Sequence, residues 1–248
     1  MKQLFKALAL VLVLVFAMSG AAMAATYTVG TNPEFPPFEY VGDDGEVTGI
    51  DVDIINALMA IVDPEAEVVI ESMAFDALLP SLATGQIDIA IAGMSATEER
   101  KQSVDFTDAY FVANQAILVK ADDDTVTTAE DLAGKTVGVV LGYTGDLYVT
   151  DNVADAQIER YDKGVDAVQD LVAGRLDAVV IDNAPAESFV NSTGGAAKIG
   201  GIIETGEVYA IALPKGSDEL CAKMNEGLKQ LTEDGTIDAI VTKFIAAE

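Results

Sequence analysis

Three patterns in this chain have the residue types and spacing to do chemistry. Arg100 is one of only three arginines, with Arg160 and Arg175. It follows Gly93-Met94-Ser95-Ala96-Thr97, just past the apolar run Ile87–Ile91. A guanidinium beyond a buried strand end can grip a carboxylate through two parallel hydrogen bonds. A surface pairing with Glu98 or Glu99 fits the same spacing. Asp182 ends the apolar run Val179-Val180-Ile181; there a carboxylate either binds an ammonium group or caps the helix that follows. Gly142-Tyr143-Thr144-Gly145 stands between a strand and a helix, where backbone N–H groups favour an anion. It lacks the lysine and spacing of a P-loop, and a plain connection also explains it. Phe35 lies among prolines and Phe75 precedes a helix, so each is a binding platform or a core residue. Arg100 and the Thr144 loop call for an anion, Asp182 for a cation, and the two phenylalanines for something flat or aliphatic. A zwitterion with a side chain, an amino acid, meets all three demands.

Composition removes other chemistries. The 248 residues hold no His, no Trp and a single Cys. Without His there is no Ser-His-Asp or Cys-His nucleophile and no His-based zinc or iron site. One Cys makes no internal disulfide. With 41 acidic and 14 basic side chains the net charge is -27, which repels nucleic acid. Half of the chain is apolar, enough for real cores and too much for disorder.

The first 24 residues read as a secretory leader. Lys2 and Lys6 precede the apolar run Ala7–Met18, and Ser19, Gly20 and Ala22-Met23-Ala24 supply small residues for cleavage after Ala24. The run is too short for a membrane span, which needs about 20 apolar residues. No Cys stands at the new N-terminus to take a lipid, so the expected product is exported and free of the membrane.

The elements that must position these residues alternate as α/β. Strands are expected at Thr26–Thr31, Val68–Ile70, Ile87–Ile91, Gln115–Lys120, Thr136–Leu141, Ala178–Ile181 and Tyr209–Leu213. Helices are expected over Ile54–Val62, capped by Asp53, and over Asp76–Ala83, Val165–Ala173 and Ala184–Val190. Short helices are expected near Thr97–Arg100 and Thr128–Ala133, another after Gly145, and two from Asp218 to Ala246. Arg160 falls in a polar segment and Arg175 in a solvated turn. One internal similarity organises them: Leu82–Gly93 matches Leu171–Asp182 at a constant offset of 89. Each copy reads as a helix end, a glycine cap, an aspartate and a buried strand. If the similarity is real, Gly93 and Asp182 end equivalent strands of two facing lobes, where α/β folds bind ligands.

Five segments in this order resemble the extracellular solute-binding proteins of polar amino-acid ABC transporters. They are Pro36-Pro37-Phe38-Glu39-Tyr40, Gly49-Ile50-Asp51-Val52-Asp53, Phe75–Pro80, Ala92–Arg100 and Asp105–Tyr110. The resemblance implies a type II periplasmic-binding-protein fold: two α/β lobes, two crossover hinge strands, and a ligand held between lobes that close on it. It implies lobe one at about 25–112 with 208–248, and lobe two at about 113–207. Arg100 matches the arginine that takes the α-carboxylate, helped by amides around Ser95 and Thr144. Asp182 matches the acid that takes the α-ammonium, helped by Gly93 and Ser95 in the Gly93-Met94-Ser95 segment. Phe35 matches the aromatic that covers the ligand and Phe75 the wall opposite. Asn32 stands where some basic-ligand members carry Asp, which weakens a guanidinium pocket unless Glu34 or Glu71 substitutes. Gly93 stands where some members carry Ser. Asp51 and Asp53 resemble a catalytic pair but have a structural place in this family.

The resulting expectation is a periplasmic, monomeric binding protein for a polar or basic amino acid, handing it to an ABC permease, with no catalysis, cofactor or metal. Two rivals use the same features. One is a dehydratase-like periplasmic enzyme on the same fold, which needs a spare buried acid at the ligand. The other is a sensor module that presents its ligand to a receptor.

Overall fold

The computed structural model describes residues 24–245; the expected leader, apart from Ala24, lies outside them. The chain forms two α/β lobes on one hydrogen-bonded sheet. The strands are β1 (Thr26–Thr31), β2 (Glu34–Phe35), β3 (Glu39–Val41), β4 (Val47–Thr48), β5 (Glu67–Ser72), β6 (Ile89–Ala90), β7 (Val104–Lys120), β8 (Thr136–Val140), β9 (Gln157–Tyr161), β10 (Ala178–Asp182) and β11 (Ala197–Pro214). The α-helices are α1 (Ile50–Val62), α2 (Phe75–Thr84), α3 (Thr144–Asn152), α4 (Gly164–Val172), α5 (Asn183–Ser192), α6 (Asp218–Glu233) and α7 (Thr236–Ile245). Arg100–Gln102 and Glu130–Leu132 are single 3-10 turns.

The large sheet runs β5-β1-β6-β11-β7-β10-β8-β9. β7 and β11 are antiparallel and pass through both halves. The late part of β11 pairs with β6, and the late part of β7 pairs with β10. Their shared register breaks between Ile203 and Glu207 and again between Tyr209 and Ala212; such irregularities bend and twist a ladder. β1, β5 and β6 are parallel on one side, as are β8, β9 and β10 on the other. β2, β3 and β4 form a separate small sheet beside the first lobe.

The 89-residue similarity is real in detail. Gly85 and Gly174 lie just beyond α2 and α4 with φ of 72° and 74°, a backbone that favours glycine. The Gln86 N–H donates to the Ser81 carbonyl and the Arg175 N–H to the Asp170 carbonyl, each at 2.9 Å. The Thr28 N–H donates to Asp88 Oδ2, and the Thr136 N–H to Asp177 Oδ2, each at 2.8 Å. Each aspartate thus fastens its own strand to the neighbouring β1 or β8.

Several elements differ from the sequence reading. α1 begins at Ile50, and its N-cap is Gly49, not Asp53. Gly49 has φ 133°, and a Cβ there would lie 2.1 Å from the Phe38 carbonyl oxygen. That close approach lets the Ile50 and Asp51 N–H groups donate to the Pro37 and Phe38 carbonyls. β7 and β11 are far longer than the apolar runs that announced them. β9 carries Arg160 in a strand, where it pairs with Asp146 at 2.9 Å. Arg175 is exposed and pairs with Asp170.

Candidate functional site

Between the lobes lies a narrow cleft, with a free volume of only about 10 Å³, walled by Phe35, Phe75, Ala92, Gly93, Ser95, Arg100, Tyr143, Thr144 and Asp182. The two halves of the repeat supply its opposite sides: Gly93 follows β6, and Asp182 ends β10.

Arg100 is only 8% exposed and makes no ion pair with its acidic neighbours; Glu98 pairs with Lys101 instead. Its Nη1 donates to the Ser95 carbonyl at 2.9 Å and its Nη2 to the Gly142 carbonyl at 3.0 Å. The guanidinium lies 5.1 Å from the centre of the Phe75 ring. Burial pulls its pKa below the ordinary arginine value, against the pull of Asp182 and Glu207, but an arginine keeps its charge. The surface-pair alternative is therefore closed, and Arg100 is a buried cation between two lobes. Beside it α3 begins at Thr144, and the first turn of any helix has N–H groups without an intrahelical acceptor.

Asp182 occupies the N-cap position of α5, yet its side chain makes no capping bond. Oδ1 accepts from the Tyr209 hydroxyl at 2.6 Å instead. The residue is 2% exposed. Burial, then the charge of Glu207, pushes its pKa from an ordinary 3.8 up to about 7. An ammonium group at Asp182 would oppose this rise, because an adjacent cation favours the ionised carboxylate.

Phe35 and Gly93 are in direct contact: a Cβ on Gly93 would meet the Phe35 ring at 2.4 Å, and Gly93 has φ 49°. The Gly93 N–H donates to Asp51 Oδ2 at 2.7 Å, which also accepts from the Tyr110 hydroxyl at 2.9 Å. Asp51 is thus a brace behind the cleft wall, as the resemblance implied, and Asp53 pairs with Lys243. Burial raises Asp51 to about 6, and Glu39, buried against it, well above the ordinary range.

Seven of the nine residues picked from the sequence line the cleft: Phe35, Phe75, Gly93, Ser95, Arg100, Thr144 and Asp182. Two do not. Met94 is fully buried in a core cluster with Leu78, Leu82 and Val104, away from the cleft that Gly93 and Ser95 line. Asn32 stands behind the wall, where its Oδ1 accepts from the Tyr143 hydroxyl at 2.9 Å and its Nδ2 donates to the Met73 carbonyl at 3.0 Å. Glu34 and Glu71 are engaged with Lys163 and Gln86.

Sequence reasoning missed four participants. Tyr143 was read only for the backbone around it. Tyr209 is a fully buried residue of β11. Gln115 and Glu207 sit on the crossing strands: Gln115 Nε2 donates to Thr144 Oγ1 at 3.2 Å and to Glu207 Oε1 at 3.0 Å. Ser95 Oγ donates to Glu207 Oε2 at 2.5 Å. A polar residue opening the expected strand at Gln115 was the one available signal, since Gln115 directly opposes Asp182.

A two-lobed α/β protein with a buried cation and a buried acid facing one interlobe cleft is, as a class, a binding protein that encloses a small ligand. Residues 27–247 match the bacterial extracellular solute-binding proteins, family 3, and the chain belongs to that family. It is 32% identical over 224 residues to the L-cystine-binding protein TcyJ of Escherichia coli (strain K12), covering 90% of this chain and 84% of that one. It is 35% identical over 227 residues to an L-arginine-binding protein of Pseudomonas aeruginosa, covering 88% and 87%. Among solved structures, an ancestral arginine-binding protein bound to arginine matches with TM-score 0.84 and 41% identity, over 90% of this chain and 99% of that one.

Proposed function

We propose that this solute-binding protein captures a free L-amino acid between its lobes and delivers it to the membrane permease of an ABC importer. The observation that carries the reading is the pairing of Arg100 and Asp182: two buried opposite charges, one from each lobe, on one cleft. Arg100 takes the α-carboxylate, with Thr144 and the start of α3 beside it. Asp182 takes the α-ammonium, with Ser95 at hand. The cystine- and arginine-binding relatives support an amino-acid ligand. A polar side chain suits the site better than a guanidinium, because Asn32, Glu34 and Glu71 are all already engaged.

The work is capture and closure, without catalysis. Ligand favours the closed state only by as much as it prefers closed over open. β7 and β11 bend where the lobes meet, which supports lobe boundaries of about 25–112 with 208–248, and 113–207. The leader pattern at residues 1–24 supports export to the periplasm, where a single chain meets its permease.

The test is calorimetry with the twenty L-amino acids on the wild type, Arg100→Ala and Asp182→Ala. Binding by the wild type and at least tenfold weakening in both variants, about 1.4 kcal/mol each, supports the reading. Undiminished affinity in both variants ends it.

A further inference from the structure

With the charged ends of an amino acid fixed at Arg100 and Asp182, its side chain has one direction left. Ser95 and Thr144 stand with the charged ends, and the rest of the wall is Phe35, Phe75, Ala92, Gly93 and Tyr143, which directs the side chain between the two phenylalanines. The Tyr143 ring is already there. Its centre lies 5.3 Å from that of Phe35 at 84° and 4.6 Å from that of Phe75 at 61°. These are edge-to-face contacts at ordinary aromatic spacing, and they leave no slab for another chain. At the far end, the Tyr143 hydroxyl takes Asn32 Oδ1, while Asn32 Nδ2 is held by Met73. The polar group that would receive the tip of a long side chain is spoken for.

The ring is also held in place. Tyr143 is the N-cap residue of α3, and its carbonyl accepts from the Leu147 N–H. The preceding Gly142 is fixed through its N–H to Asp146 and through its carbonyl to Arg100. The same residue that anchors the carboxylate clamp therefore aims the ring into the side-chain compartment.

We infer that Tyr143 is the specificity-determining residue of the site: its ring fills the compartment between Phe35 and Phe75 and restricts the ligand to L-amino acids with short side chains. The inference rests on the amino-acid reading above. A long side chain must expel the ring, breaking both aromatic contacts and the bond to Asn32. A short one, such as that of alanine, serine, threonine or cysteine, leaves them in place and uses the ring as its floor.

The experiment compares wild type, Tyr143→Ser and Tyr143→Phe by calorimetry with L-alanine, L-serine, L-threonine, L-cysteine, L-glutamine and L-arginine. Serine is a good N-cap, so Tyr143→Ser keeps the start of α3, and a circular dichroism melt checks that it folds. The wild type should bind at least one short ligand tenfold or more tighter than arginine. Tyr143→Ser should shift that ratio at least tenfold towards arginine and glutamine, and Tyr143→Phe, which keeps the ring, should keep the wild-type ranking. Wild-type binding of arginine or glutamine as tight as any short ligand overturns the inference, whatever the variants do. So does an unchanged ratio in a folded Tyr143→Ser. Failure of both wild type and Tyr143→Ser to bind any of the six, or any other L-amino acid, overturns the amino-acid reading and the filter with it; long-chain binding by the wild type overturns the filter alone.

Discussion

Asp182→Asn should make the empty protein more stable and the binding site worse. The substitution keeps the shape of the side chain and an oxygen to accept from the Tyr209 hydroxyl, but removes a charge from a buried position. The pKa of Asp182 rises from an ordinary 3.8 to about 7 because burial penalises its charged form. At about 1.4 kcal/mol per pKa unit, that is roughly 4 kcal/mol by which ionised Asp182 opposes the closed, empty fold. A group with a raised folded-state pKa contributes its full stability below its unfolded pKa and loses it as pH climbs through the folded value. Asp182 should therefore make the ligand-free wild type less stable between about pH 4 and pH 8. Rehydration of Asp182 when the lobes open recovers part of the 4 kcal/mol. Even 1 kcal/mol moves Tm by about 2–4 °C in a chain of this size. In calorimetric melts at pH 8, ligand-free Asp182→Asn should melt at least about 4 °C above wild type, and the gap should narrow towards pH 5. Its affinity for the best ligand should fall at least tenfold, since an ammonium facing a neutral amide loses a charge-assisted bond worth about 1.5–3 kcal/mol. A variant no more stable than wild type at pH 8, with the same stability profile from pH 5 to 8, would refute the burial argument.

Arg100→Ala should weaken binding at least tenfold, and methyl esterification of the ligand should hurt wild type much more than this variant; equal losses in titration would show that Arg100 does not meet the carboxylate. Gly93→Ala should lower affinity and Tm together, because the new Cβ meets the Phe35 ring at 2.4 Å on a backbone of φ 49°; both are read by ligand-shifted melts. Asp88→Ala and Asp177→Ala should cost similar stability, about 1 kcal/mol or more each by denaturant titration, because they make the same bond in the two copies of the repeat. Glu39→Gln should change Tm least at acid pH, where glutamine reproduces the neutral carboxyl, and should gain on wild type as pH rises, because burial and Asp51 penalise ionised Glu39; melts across pH read the trend.

The sequence exposed the parts of the fold governed by short-range patterns. β1 is predicted at its observed bounds because its alternating threonine, tyrosine and valine, residues that favour strands, are closed by Asn32 and Pro33. α2 ends where Gly85 allows a left-handed turn. The repeat survives in sequence because a helix end, a glycine and an aspartate must recur to fasten the buried strand. What stayed hidden depends on long-range pairing. The first halves of β7 and β11 mix polar and apolar residues, because each crosses between lobes with neither face steadily buried, so no period-2 signal marks them. The same mixture hid Glu207, a polar residue on a strand with no apparent core face. In the site, charged residues at strand ends were legible because few physical reasons put them there. Tyr143 was not, because an aromatic beside a glycine has many uses, and only the positions of Phe35, Phe75 and Asn32 single out one.

The closed cleft carries its own balance of forces, and the balance explains why an ammonium group matters. Across the cleft, Tyr143 binds Asn32, Arg100 binds the Gly142 carbonyl, Ser95 binds Glu207, Tyr209 binds Asp182, and Lys163 meets Glu34 at 2.6 Å. The buried bonds contribute about 1 kcal/mol each, somewhat more for the guanidinium, and the exposed pair adds little because water screens it. Together they favour closure, and ionised Asp182 beside Glu207 opposes it above about pH 7. A ligand that places a cation at Asp182 removes the opposing half and leaves the favouring half intact, so closure follows. A hydroxy acid with the same side chain satisfies Arg100 but not Asp182, and should bind at pH 8 without compacting the protein in small-angle scattering. The proposed capture mechanism thus assigns to Asp182, rather than to Arg100, the requirement that a ligand carry an ammonium group before the lobes close.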